Sequence, residues 1–402
     1  MADRSLEPGR VRLARMRRGL SQAELARRLD VTGRTIQTYE SLGAPRSATA
    51  RLAAALDFPE GYFLRPFEGD TLHAVGNFRA GRATTKRQRS AAIAASAMGF
   101  EVGQWIADRF LLPSVDVPNL EDEDPRQAAA ILRGLWGLGT GPLPNLVQLS
   151  ESRGIRVAGL PGVAASVDAF SRWHGNIPHV FVARAKTPER SRFDVAHEIG
   201  HLVMHRYHGA QAADGAPSAA AEEREADAFA SEFLVPREAI FEYLRPNPPV
   251  DDLLQAARAF VVSAMALAYA AHKAGRMSDW SYRTTCIELS RRGFRSGEPS
   301  GMPAHERSRV YPHVLASRGQ GQGRITGKRI AAELDLPAAD VRAIMLDSEM
   351  AAVPRAPAEA VDTGRSAPGI AAGTEAGTPS ASTSQRSKRP AKGAARPHLH
   401  SV

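Results

Sequence analysis

The chain has 402 residues, 43% of them hydrophobic, with 52 Lys and Arg against 43 Asp and Glu and a net charge of +9. That length and apolar content suit two to three folded domains, and the cationic excess favours an anionic partner. The one cysteine, Cys286, excludes an internal disulfide and fits a reducing, cytoplasmic location, while the longest apolar run, residues 259–271, is too short to cross a bilayer. Charges at Asp3 and Arg4 with no apolar run behind them do not read as a secretory leader, so no membrane partner is expected.

Ser21 to Glu24 form a capping box, with Ser21 as N-cap and Glu24 three residues on. The helix runs to Leu29, Asp30 and Val31 turn the chain, and Thr32 caps a second helix through Glu40. Leu13, Leu20, Leu25, Leu29, Val31 and Ile36 make a small core. Residues 6–65 thus resemble an XRE-type helix-turn-helix, the repressor class. The resemblance implies double-stranded operator DNA as partner, with the second helix in the major groove, and a homodimer reading paired half-sites. Carried onto this sequence, Gly33, Arg34 and Thr38 fall at base-reading positions and Gln22 at a phosphate or base contact. Gly33 has no side chain to read with, and Arg34 suits the edge of guanine. Arg10, Arg12, Arg15, Arg17, Arg18, Arg27, Arg28 and Arg34 crowd this module, and a phosphate-binding surface is expected from them. The alternative is a helical hairpin that binds protein.

Residues 86–112 read as one long helix through Ile93, Ala97, Phe100, Trp105 and Phe110, with Arg82, Lys86, Arg87 and Arg89 on a solvated face. The acidic, proline-bearing stretch 113–125 reads as a boundary. Helices are expected over 126–136 and 143–153, a strand over 155–160, and a hairpin of 167–173 and 179–183 around Gly175 and Asn176. His174 and His179 read as surface histidines, with polarisation of a scissile carbonyl as the alternative.

His197-Glu198-Ile199-Gly200-His201 follows. Two histidines four apart lie one turn from each other on one helix face, so both imidazoles can bind one metal ion. The glutamate between them can take a proton from water. With a single cysteine in the chain, the remaining donors must be N or O atoms. The acidic helix 223–234 offers a third ligand in Glu223, with Glu222 and Glu225 as competitors. Asp227, four residues on, can accept the free ring N–H of a ligand histidine. His205, two turns beyond His197, is assigned a supporting or structural place.

Residues 192–205 and 223–236 together resemble the ImmA/IrrE family of metallopeptidases, with residues 130–245 covered well. Val235 departs from the methionine usual before the proline. The resemblance implies zinc held by His197, His201 and Glu223, Glu198 as general base, and cleavage of a partner repressor at one site.

After Pro236 a helical region is expected to about residue 350, with one Ala-rich buried helix over 259–271 and either strand or helix over 283–293. Residues 330–341 resemble half of another helix-turn-helix, without a basic face, suited to packing or dimerisation. The tail is rich in Ala, Gly, Pro, Ser and basic residues, a composition of disorder, and its basic cluster at 386–396 can add nonspecific DNA affinity. The expected fold is mainly α with a small β-sheet (α+β): a helix-turn-helix domain at 1–66, a helical linker at 67–125, a zincin-like metallopeptidase domain at 126–246, a helical region at 247–350 and a tail at 351–402. The expected function is a DNA-binding regulator whose zinc peptidase domain cleaves a partner regulator. The alternative is a regulator whose peptidase-like domain senses a ligand or partner without cleaving, which the intact Glu198 disfavours.

Overall fold

The computed structural model describes residues 5–67, 85–162, 164, 167–206, 219–295, 297–299, 301–319 and 322–348. Residues 68–84 at the start of the expected linker, which include Arg82, and the tail from 351 lie outside the described residues. The fold is mainly helical with one three-stranded sheet and a short two-stranded ribbon.

Side-chain caps start the second and third helices. Helix α1 (Pro8–Arg17) is followed by α2 (Gln22–Arg28), where Ser21 Oγ accepts the Glu24 N–H at 3.1 Å and the Glu24 carboxylate accepts the Ser21 N–H at 2.7 Å. Thr32 caps α3 (Gly33–Ser41) through the Thr35 N–H at 3.1 Å, and α4 (Thr49–Leu56) closes the module. Leu25, Ile36, Leu52 and Leu56 are fully buried between these helices, and Tyr62 and Phe63 seal the far end. Leu13 does not join this core. It faces outward with Met16, against Ala94 and Ala97 of α5 (Lys86–Ala107). Helix α5 ends five residues before the expected end at 112, because a turn at Asp108 and Arg109 closes it, with the Arg109 and Phe110 N–H groups both donating to the Ile106 carbonyl.

The sheet lies between two helices. Strands β1 (Arg156–Gly159), β2 (Ala169–His174) and β3 (Ile177–Val182) take the order β1-β3-β2, with β1 parallel and β2 antiparallel to β3. The β2–β3 turn uses Gly175 at φ 56°, which a Cβ would disfavour. On one face Phe181 meets Phe100 of α5 edge-on at 5.7 Å. Against the other face packs α8 (Pro188–Met204), which α6 (Pro125–Leu135) and α7 (Leu146–Ser152) also contact. Helix α9 (Ala219–Leu234) lies along α8, with the Phe229 ring against Gly200.

The expected single helix over 259–271 is two helices. Val261 adopts φ 56°, ending α11 (Val250–Phe260), and Ser263 caps α12 (Ala264–Lys273) with its Oγ 3.1 Å from the Ala266 N–H. The two are bent by 105°, and no single helix among the described residues is long and apolar enough to cross a membrane. Between α9 and α11 lies α10 (Arg237–Tyr243), and residues 279–291 form helix α13 (Asp279–Arg291), capped by Ser278. After α14 (Val310–Ala316) and the ribbon β4–β5 (Arg318–Gly319, Gln322–Arg324), α15 (Gly327–Leu334) and α16 (Ala338–Ile344) turn back onto α1 and α5.

That return corrects the expectation of a phosphate surface made from eight arginines. Arg17 and Arg18 bond Asp340 of α16 at 2.6 and 3.2 Å, with the Arg17 side chain 3% exposed. Arg10 pairs with Glu101 of α5 and donates to the Pro66 carbonyl, and Arg15 pairs with Glu40. These four hold the module together and onto its neighbours. Arg12, Arg27, Arg28 and Arg34 remain exposed. Removing one member of a buried pair strands the other, so Asp340→Ala should destabilise the protein by about 3–5 kcal/mol. Asp57→Asn, at the 93%-exposed partner of Arg18, should change stability little. Urea unfolding of the two variants checks this, and equal midpoints would contradict the buried role of Asp340.

A candidate metal site and a candidate DNA-reading face

The helical spacing of α8 sets His197 and His201 one turn apart, with their Nε2 atoms 3.1 Å from each other. From α9, Glu223 brings Oε2 to 3.5 Å from His197 Nε2 and Oε1 to 3.5 Å from His201 Nε2. All three ligand atoms lie within 4.8 Å of one another. A tetrahedral zinc with bonds of about 2.0–2.1 Å holds its donor atoms about 3.3 Å apart. The 3.1 Å between the two imidazole nitrogens matches that spacing, and the carboxylate offers each nitrogen an oxygen at 3.5 Å, so two imidazoles and one carboxylate fit that ion.

The opposite ring nitrogens are engaged. His197 Nδ1 lies 2.9 Å from Asp227 Oδ1. His201 Nδ1 lies 2.8 Å from His205 Nδ1, and His205 Nε2 lies 2.9 Å from Glu225 Oε2. Of the three candidate third ligands, the structure brings only Glu223 to the histidine Nε2 atoms; Glu225 sits behind His205, and Glu222 is outside the cluster.

Glu198 is 5% exposed and bonds Ser171 of β2. Burial pushes its carboxyl up to about 7, against the pull of His197 and the Ser171 bond. Burial likewise lifts Asp194, one turn earlier, to about 6 despite its bond to Arg190. Around His197 burial works against the charged ring, but the bonds to Asp227 and Glu223 outweigh it and raise the group to about 10. Burial would raise Glu223 too, yet its contacts with both histidines hold it far below the ordinary carboxylate range.

His174 and His179 are not beside this cluster, and the carbonyl-polarising role is set aside. Their side chains share the α5 face of the sheet with Phe181, whereas Ser171 points to the α8 face. His174 stacks on Phe100 at 4.3 Å. His179 is not a surface residue either: it is 5% exposed, its Nδ1 is 3.0 Å from the Ile177 carbonyl, and burial pushes it down to about 3. Ser171 carried no signal in the sequence, because only the packing of β2 on α8 brings it to Glu198.

On α3, Arg34 and Thr38 are both exposed and four residues apart, so they share one outward face. Thr38 Oγ1 donates to the Arg34 carbonyl at 3.0 Å. Gln22, at the start of α2, is half-buried and donates to Glu40 at 2.8 Å, on the same carboxylate that Arg15 holds.

Residues 150–272 match the Peptidase_M78 family model, the IrrE N-terminal-like domain, and residues 11–62 match the HTH_3 model, a helix-turn-helix. No curated protein matches the chain. An XRE-type helix-turn-helix domain is therefore joined here to an IrrE/ImmA-like domain. The first suggests a DNA-binding regulator, and the second suggests a metallopeptidase-like domain of a zinc-using type.

Proposed function

We propose that the chain is a DNA-binding transcription regulator whose zinc site hydrolyses a peptide bond in a partner protein, a repressor or other regulator. The observation that carries this is the convergence of His197, His201 and Glu223, with ligand atoms within 4.8 Å of one another, beside a buried carboxylate, Glu198, on the helix of the two histidines. In this reading those three side chains hold zinc, and Asp227 orients His197 through its Nδ1. A zinc ion bound there would supply Lewis acidity towards water and towards a peptide carbonyl.

The protein's own residues do the rest. Glu198 takes the proton of the attacking water and returns it to the leaving amine. The Ser171 hydroxyl holds that carboxylate on the α8 face of the sheet. Strand β2 is the outer strand of the sheet among the described residues, pairing there with β3 alone. In this reading the chain to be cut lies extended beside the zinc helix, next to β2.

In the N-terminal module, Arg34 and Thr38 face the base edges of double-stranded operator DNA, and Gln22 supports the docking from α2. A homodimer then reads two half-sites in the cytoplasm. The layout we propose is a reading domain at 1–66, a linker at 67–125, the peptidase domain at 126–246 and a helical region at 247–350.

Purified protein should carry about one zinc per chain. His197→Ala and His201→Ala should empty the site, while Glu198→Gln should keep the metal and lose cleavage of the partner. Metal analysis with a mixing assay against candidate repressors checks this. Full zinc occupancy in the double histidine variant would contradict the ligand set. Independently, Arg34→Ala should weaken operator binding by about 1–3 kcal/mol and relax preference at one base pair. Glu198→Gln should leave operator affinity unchanged. Binding isotherms over a salt series measure both, and an Arg34→Ala variant that binds like the parent would remove α3 as the reading helix.

A further inference from the structure

His205 is a buried imidazole to which the proposed chemistry gives no task. It sits at the C-terminal end of α8, four residues past His201, and is 1% exposed. Its two ring nitrogens face different partners: Nδ1 is 2.8 Å from His201 Nδ1, and Nε2 is 2.9 Å from Glu225 Oε2. A neutral imidazole carries one N–H and one bare nitrogen, and an ionised carboxylate only accepts. Glu225 therefore calls for the N–H on His205 Nε2. That leaves His205 Nδ1 as an acceptor, so the proton between the two rings belongs to His201 Nδ1. His201 Nε2 is then bare, and it is the nitrogen that faces His197 Nε2 and Glu223. The opposite order would put a proton on His201 Nε2 and block it as a ligand.

We propose that Glu225 and His205 are positioning residues, a hydrogen-bonded relay that holds His201 in its Nδ1–H form with Nε2 aimed at a divalent cation. The inference rests on the metal-site reading above. His197 has the shorter version of the same device, a direct contact with Asp227. The carboxylates of both devices stay at the wet rim, with side chains 38% exposed at Glu225 and 63% at Asp227. A neutral imidazole carries the orienting effect of Glu225 inward to His201, whose side chain is 4% exposed, without burying a second charge.

The test is zinc affinity of the full chain by competition with a chromophoric chelator, alongside thermal melting of the metal-free protein. Glu225→Ala lies at a half-exposed position, and His205→Leu keeps side-chain bulk while removing both ring nitrogens. Each should weaken zinc binding about ten- to a hundredfold, as losses of such supporting bonds do. His205→Gln can accept from His201 through its amide oxygen and donate to Glu225 through its amide nitrogen. It should stay within about threefold of the parent. Metal-free Glu225→Ala should melt with the parent. The relay is overturned if Glu225→Ala binds zinc as tightly as the parent, or if His205→Gln loses as much as His205→Leu. Should His205→Leu fail to fold, Glu225→Ala decides alone. His197→Ala and His201→Ala separate the two ideas: if they too bind zinc like the parent, the metal site itself is wrong. If they lose zinc while Glu225→Ala does not, only the relay is.

Discussion

The close seat of α9 on α8 is the contact on which the candidate site depends. A Cβ on Gly200 would lie 2.9 Å from the Phe229 ring, so the two helices can approach this closely only over a glycine. Glycine inside a helix costs about 1 kcal/mol relative to alanine. Burying a phenylalanine fully contributes about 1.5–3 kcal/mol, so the seat is favourable on balance. Its consequence is Glu223, six residues before Phe229 on the same helix, which reaches both histidines of α8 at 3.5 Å. Were the helices further apart, the two histidines would lack their third donor.

The same packing gathers negative charge. Glu198, Asp194, Glu223 and Asp227 all act on His197 or on one another, and burial, with Glu223 and Asp194 adding to it, pushes Glu198 up to about 7. Such a concentration of carboxylates around two imidazoles is poor design for stability and good design for a cation. The sheet contributes through one residue, Ser171. Its other face is occupied by α5, which ties the peptidase-like half to the reading module through the packing of Ala94 and Ala97 on α1. Asp340 adds a second tie from the far end of the chain. The helix-turn-helix module is thus built into the rest of the structure by side chains that look, in sequence, like a DNA-binding cluster.

What could be read from sequence was local in its physics. The capping box at Ser21, the cap at Thr32, the turn at Gly175 and the one-turn spacing of His197 and His201 all follow from neighbours within four residues, and the structure has each of them. What could not be read depends on distant partners. Arg17 and Asp340 are 323 residues apart, and nothing near either announces the other. His179 alternates with its neighbours like any strand residue, and only the arrival of α5 on that face buries it. The break at Val261 lies inside an apolar, alanine-rich run where helix propensity predicts continuity, and the 105° bend lets both halves bury their faces. Glu225 was legible as an acid near the metal but not as the partner of His205, because its assignment needs the register of α9 on α8.

Zinc K-edge X-ray absorption on the full chain loaded with one equivalent of zinc reads the donors of the proposed site. Two imidazole nitrogens and carboxylate oxygen at about 2.0–2.2 Å are expected, with no sulfur scatterer. A sulfur at about 2.3 Å, which only Cys286 or a methionine could supply, or a single imidazole in the shell, would contradict that donor set.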